Sequence, residues 1–245
     1  MSSIRSSHMQ SSPQYSLQVG AWGDYASTTS MGVQAEIRTR TYLIQRPSLM
    51  AAFWVGENLE NGGFVQFGYV LQPAGNYCEM GVVADGESTC IGGLVALGAV
   101  DASWFWEYYP NRNQTGDYYS GLGPSDSAGL NGTWHLYSIM PNRQGGWDFI
   151  LDGKRVSSIA LHSWAPSSDP VYIVAEEITS SPEGGGVLGS VEFRNLAYLK
   201  QDGWHQVAAL NGLVGCGISR PSCDVSIPYE VAVRGSDYTI INGNT

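Results

Sequence analysis

An all-β fold, a single sandwich of two antiparallel sheets, is what this sequence predicts, and three observations predict it. Apolar and polar residues alternate with a period of two along many short segments, as in a strand with one face buried. Turn signals recur between those segments: Asn61-Gly62-Gly63, Asp85-Gly86, Asn131-Gly132, Gly145-Gly146 and Asp152-Gly153. No long segment carries the 3.6-residue period of an amphipathic helix, so the crossover helices that a parallel sheet needs are missing. The 31 glycines and the short strands at this spacing are the pattern of a sandwich or barrel.

Taken in chain order, Val33, Ala35 and Ile37 form one face of a strand, with Gln34, Glu36 and Arg38 on the other. The aromatic, β-prone stretches around Trp54-Val55-Gly56, Gln66, and Trp106-Glu107-Tyr108-Tyr109-Pro110 are strands next. Gly116 to Gly132 is rich in Gly, Ser, Asp and Tyr and reads as a long loop, a kind of segment that often carries function. Thr133 to Tyr137 alternates, and with Phe149 and Leu151 it makes a hairpin closed at Gly145-Gly146. Further strands are expected at Ala175-Glu176-Glu177-Ile178, at Val187, Val191 and Phe193, and at Tyr229 to Val233. Residues 1–9 (MSSIRSSHM) read as a vector-derived remnant, because Ser-His-Met is a common cloning scar. Residues 10–205 are then the sandwich, and 206–245 a C-terminal extension of the same domain.

Composition narrows the partners. Hydrophobic residues are 43% of the 245, enough for a core, while charged residues are only 14%, well below the usual quarter. Lysine occurs only at Lys154 and Lys200, and the net charge is -10. Such a surface repels nucleic acid and anionic membranes, and it suits life outside the cell, including at low pH. The longest apolar runs fall short of eighteen residues, so no helical membrane insertion is expected. Four cysteines, an even number, read as two disulfides in a secreted protein. Cys78 and Cys90 flank the Asp85-Gly86 turn, and Cys216 and Cys223 would close a small loop. Asn113 and Asn131 open glycosylation triplets. A monomer is expected.

Standard catalytic motifs are absent: there is no GxSxG, HExxH, phosphate-binding loop or dinucleotide fingerprint. His135 reads as a sheet-face residue rather than a base, and no spaced His/Asp/Glu cluster suggests a metal or other cofactor. What remains is amide and carboxylate. Gln66, Glu107 and Glu176 lie on three separate strands among Trp54, Phe64, Trp106, Tyr109 and Tyr172. A polar headgroup among aromatics costs a few kcal/mol unless paired. These groups are therefore either cross-bonded structural pairs or a reactive constellation.

The order of segments resembles one family. Trp22-Gly23, then Trp54-Val55-Gly56 with Gln66 twelve residues after the Trp, then Glu107-x-Tyr109-Pro110, Ala175-Glu176 and Gly189-Ser-Val-Glu-Phe-Arg-Asn195 look like the eqolisin family of acid glutamic peptidases. The resemblance covers about residues 20 to 200 and implies a concanavalin-like sandwich. It implies a catalytic pair, Gln66 and Glu176, with Glu107, Trp54, Trp106 and Tyr109 lining the substrate cleft. Glu177 stands where the family has an aromatic residue. Glu176 and Glu177 point to opposite faces of a strand, so only one enters the cleft, and which one is open at this level.

The chemistry so implied is direct: a carboxylate takes a proton from water, the Gln66 amide donates to the oxyanion that forms, and the protonated Glu then gives its proton to the leaving amine. The substrate would be a polypeptide. The alternative class is a lectin-like or structural module binding a glycan. Asn131-Gly-Thr-Trp-His-Leu-Tyr137 followed by Asp152-Gly153-Lys154 resembles the hairpin of concanavalin-like and laminin-G-like domains, and it supports the sandwich under either reading. A glycan-cleaving enzyme would need two neighbouring carboxylates, for which Glu107 and Glu176 are the candidates.

Overall fold

A computed structural model of the chain describes residues 15–23, 30–39, 48–73, 100–110, 119–124, 127–129, 131–160, 170–179, 191–216, 229–234 and 237–242. Among the described residues there are strands and turns and no helix. In chain order the strands are β1 (Tyr15–Gly23), β2 (Val33–Arg38), β3 (Ser48–Asn58), β4 (Phe64–Pro73), β5 (Val100–Tyr109), β6 (Tyr119–Leu122), β7 (Trp134–Pro141), β8 (Trp147–Leu151), β9 (Lys154–Ile159), β10 (Val171–Thr179), β11 (Val191–Lys200), β12 (Gly203–Gln206), β13 (Asn211–Cys216), β14 (Tyr229–Arg234) and β15 (Asp237–Asn242).

They form two antiparallel sheets. One has the order β13-β1-β10-β3-β4-β5-β6, and the other β14-β15-β11-β2-β7-β8-β9 with β12 paired to β11. The alternation read from Val33, Ala35 and Ile37 is the inward face of β2, all three fully buried. Phe53, Val55, Phe67, Tyr69, Trp106 and Tyr108 of the first sheet meet Tyr137, Ile139, Trp147, Phe149 and Phe193 of the second in one core. Rings lock the two layers: Phe67 packs edge-on to Tyr137 at 5.1 Å, and Trp106 stacks on Phe149 at 4.7 Å with planes 12° apart. Each such side chain contributes roughly 1.5–3 kcal/mol on burial.

Turn chemistry closes the hairpins. Gly62, Gly132, Gly145 and Gly153 all have positive φ, and so does Asp152 at 51°. Asp152 tolerates that backbone because its carboxylate accepts from Leu136 N at 2.8 Å and bonds His135 Nδ1 at 2.6 Å, a local anchoring that Asp and Asn supply in this region. The stretch 116–132 departs from the loop expectation. Part of it is β6, which pairs with β5, and Ala128 is buried in the core. Tyr and Gly content misled there, because a short edge strand has too few residues to show a period. The expected Cys78–Cys90 pair, Cys223, and Val187 lie outside the described residues, as does the side chain of Cys216.

Candidate active site

The first sheet has a second apolar cluster on the face turned away from the core, built from Ala52, Trp54, Phe64, Val70, Phe105 and Val174 with Met50, Tyr109, Leu122 and Tyr172 packed against it. Strand parity produces it. On β4, Val65, Phe67, Tyr69 and Leu71 face the core, so Phe64, Gln66, Gly68 and Val70 face outward. On β5 the same logic turns Phe105, Glu107 and Tyr109 outward, and on β10 Tyr172, Val174 and Glu176.

Register then aligns them. Tyr172, Gly56, Gln66 and Glu107 are successive partners across β10, β3, β4 and β5. The next outward row is Val174, Trp54, Gly68 and Phe105, and the one after it is Glu176, Ala52, Val70 and Ser103. Gly68 is glycine for a steric reason: a Cβ there would sit 1.9 Å from the Phe53 carbonyl oxygen and 2.6 Å from Trp54 Cα.

Within this face Gln66 Nε2 donates to Glu107 Oε2 at 2.7 Å, and the Tyr109 hydroxyl donates to the same oxygen at 2.7 Å. Trp54 Nε1 donates to Glu176 Oε2 at 3.2 Å. Asn58 Nδ2 donates to the Tyr172 hydroxyl at 2.9 Å. Gln66 is only 6% exposed, while Glu107, Tyr109, Tyr172 and Glu176 keep partial access to solvent. Burial pushes the Glu107 carboxyl up to about 7; the negative charge of Glu176 raises it further, and the hydrogen bonds from Tyr109 and Gln66 pull the other way. The arrangement thus holds a carboxyl that is easily protonated, an amide donor fixed beside it, and a second carboxyl within electrostatic reach.

The structure brings Gln66, Glu107, Glu176, Trp54 and Tyr109 onto one face. Trp106 does not join them. It points into the core against Phe149, since it neighbours the outward Glu107 and must face the other way. β6 borders this face, with Ser120 opposite Glu107 and Leu122 packed on the outer cluster, while Tyr119 pairs with the inward Tyr108, 6.0 Å from that ring. Glu176 shares the outward parity and meets Trp54, whereas the side chain of Glu177 lies outside the described residues. His135 sits on the other sheet, between Asp152 and the Thr133 hydroxyl.

Two features were not anticipated. The direct partner of Gln66 is Glu107 rather than Glu176. Glu57, on the inward side of β3, is fully buried with no hydrogen-bond partner in good geometry on either oxygen, and burial pushes it up to about 8, with Ser30 favouring the charged form slightly. Its parity with Val55 and Leu59 was the signal that would have found it. Among the described residues no three His, Cys, Asp or Glu side chains converge as metal ligands.

The fold and this face define a class: a two-sheet antiparallel sandwich with an amide–carboxyl pair displayed on the outer side of one sheet. A particular likeness follows. The chain is similar to the crystal structure of scytalido-glutamic peptidase with a peptide-based transition state analog, at 14% identity over 94% of this chain and 100% of that one, with a TM-score of 0.55. A second structure of that peptidase, with a transition state analog inhibitor, overlaps at 14% identity over 93% and 98% with a TM-score of 0.51. A glycoside hydrolase family 16 endo-glucanase from Bacteroides ovatus overlaps more loosely, at 10% identity over 66% and 67% with a TM-score of 0.35. No protein-family model and no curated protein matches this sequence. The likeness shows an eqolisin-like sandwich fold, in line with the resemblance read from the motifs.

Proposed function

We propose that the protein is a secreted glutamic endopeptidase, working as a monomer on polypeptides at acid pH. The observation that carries this reading is the Gln66–Glu107 hydrogen bond on the outer side of the first sheet, with the charge of Glu176 felt at Glu107, in a fold similar to that of a glutamic peptidase.

Glu176 is the base. As a carboxylate it takes one proton from a water whose oxygen attacks the peptide carbonyl carbon. The carbonyl electron pair moves onto oxygen, and a Gln66 Nε2 hydrogen stabilises the oxyanion. Gln66 suits this role because Glu107 accepts from the same amide nitrogen and so fixes which end of the amide faces the substrate. Trp54 holds the base in place. Tyr109 and Tyr172, which pack against this cluster and keep partial access to solvent, would receive substrate side chains.

The test is incubation with unfolded protein at about pH 3 to 5, where a carboxyl base of modest basicity works. Cleavage is expected, with Gln66→Ala and Glu176→Gln each inactive and still folded. Full activity of both variants would refute the assignment. No proteolysis by the wild type, together with hydrolysis or saturable binding of a glycan, would replace it with the carbohydrate reading.

A further inference from the structure

We propose that Glu107 is a second catalytic carboxyl, the general acid that protonates the departing amine, and that Glu176 acts as base alone. This rests on the peptidase reading and assigns one of its protons to a different residue.

The geometry of the donors points to it. Gln66 Nε2 and the Tyr109 hydroxyl both address one oxygen of Glu107, Oε2. An oxygen accepting from two donors has no room for a proton of its own, so the acidic proton belongs on Oε1. A protonated Glu107 held this way is a hydrogen-bond donor with a fixed direction. The same Gln66 nitrogen has a second hydrogen, and that is the one the oxyanion takes. The acid and the oxyanion donor are therefore adjacent, as they must be when oxyanion and leaving nitrogen share one carbon. Glu176 lies two outward rows along the sheet from Glu107 and is bonded there by Trp54, so the two carboxyls address the scissile bond from different positions.

The surroundings keep the proton in place. Of the titratable groups on the neighbouring outward positions, Tyr109 donates and Glu176 contributes negative charge. The partners in register, Gln66 on β4 and Ser120 on β6, carry no charge. Burial, aided by the Glu176 charge, outweighs the opposing hydrogen bonds from Tyr109 and Gln66 and holds the Glu107 carboxyl at about 7, protonated throughout the acid range. Two carboxyls whose environments push them apart in this way divide into acid and base.

The step balances. Water gives one proton to Glu176 and its hydroxyl to the carbonyl carbon. The C–N bond then breaks with its electron pair on nitrogen, the oxyanion re-forms the carbonyl, and nitrogen takes the Oε1 proton of Glu107. The products are a carboxylic acid and an amine, leaving Glu107 ionised and Glu176 protonated. Return of that proton to Glu107 resets the site.

The experiment compares two substrates of the same acyl sequence, one a peptide and one an ester with a nitrophenolate leaving group, which departs without a proton. In Glu107→Gln, kcat on the peptide should fall by about 100-fold or more, while the ester should change by less than about threefold on the same scale. Glu176→Gln should lose both. Glu107→Asp, which keeps a carboxyl on the same strand, should regain part of the peptide activity, and it stands in if the Gln variant fails to fold. Equal loss on both substrates in either Glu107 variant would show that Glu107 only positions Gln66 and would overturn the proposal. So would unchanged peptide activity in Glu107→Gln. Failure of the wild type on the peptide would instead remove the peptidase reading itself, and this proposal with it.

Discussion

Single atoms decide the shape of the outer face of the first sheet. At Gly68 one added carbon would meet the Phe53 carbonyl and the Trp54 backbone. Gly68→Ala should lower stability by about 1–3 kcal/mol, the usual cost of overpacking, read as a drop in melting temperature. An unchanged melting curve would mean the two strands can separate there at no cost. Trp54→Phe keeps an aromatic ring, deletes the N–H that reaches Glu176 and leaves a small cavity at a buried position. Its fold should hold with a loss of about 1–3 kcal/mol, the cost of a small cavity and one hydrogen bond, while kcat on peptide falls and KM hardly moves. A KM effect alone would make Trp54 a substrate contact instead. Residues also show what parity could and could not reveal in the sequence. The alternation that separates Glu176 from Glu177 applies equally to Trp106 and Glu107, and applying it there would have placed Trp106 in the core. The same rule puts Glu57 inward with Val55.

At the scale of elements, the strands were largely legible, because each writes its buried face as every second residue. Their pairing was not. β4 and β5 are joined through residues 74–99, and nothing local states that Gln66 will stand opposite Glu107. Register between such strands is settled by which faces bury together, a property of the pair. The β8–β9 hairpin is the opposite case, since Asp152-Gly153 announces its own turn. There Asp152 tethers both His135 and the Leu136 amide. Asp152→Ala should cost on the order of 1–2 kcal/mol, one charge-assisted hydrogen bond with its neighbour, and leave peptide cleavage intact because the hairpin belongs to the other sheet. Loss of activity in a folded Asp152→Ala protein would show that the two sheets are functionally coupled.

The molecule as a whole should prefer acid. Glu57 and Glu107 are held at about 8 and about 7 against an ordinary 4.5. The folded state therefore binds these protons more tightly than the unfolded chain does. Below about 4.5 both states are protonated and the fold is at full strength with respect to these groups. As pH rises towards 8 the unfolded chain releases protons that the folded one retains, and stability falls, by up to about 1.4 kcal/mol per pH unit for each group. The net charge of -10 at neutral pH adds self-repulsion in the same direction. Urea unfolding at about pH 4.5, 6 and 8 should show this decline, and a flat or rising profile would contradict it. Glu57→Gln, which removes a charge that has no partner in the core, should match the wild type in acid and exceed it at pH 8.

Trp106 clamps β5 to the opposite layer through Phe149, and Tyr108 sinks beside it, so the strand's seat is set largely by its inward residues. Glu107 and Tyr109, which keep partial access to solvent, are in lineage terms a separately editable text printed on the back of a fixed page. A gene can drift through new carboxyls, amides and rings at those positions without passing through an unfolded ancestor. Sandwiches built this way can rewrite an outer face faster than they change their shape.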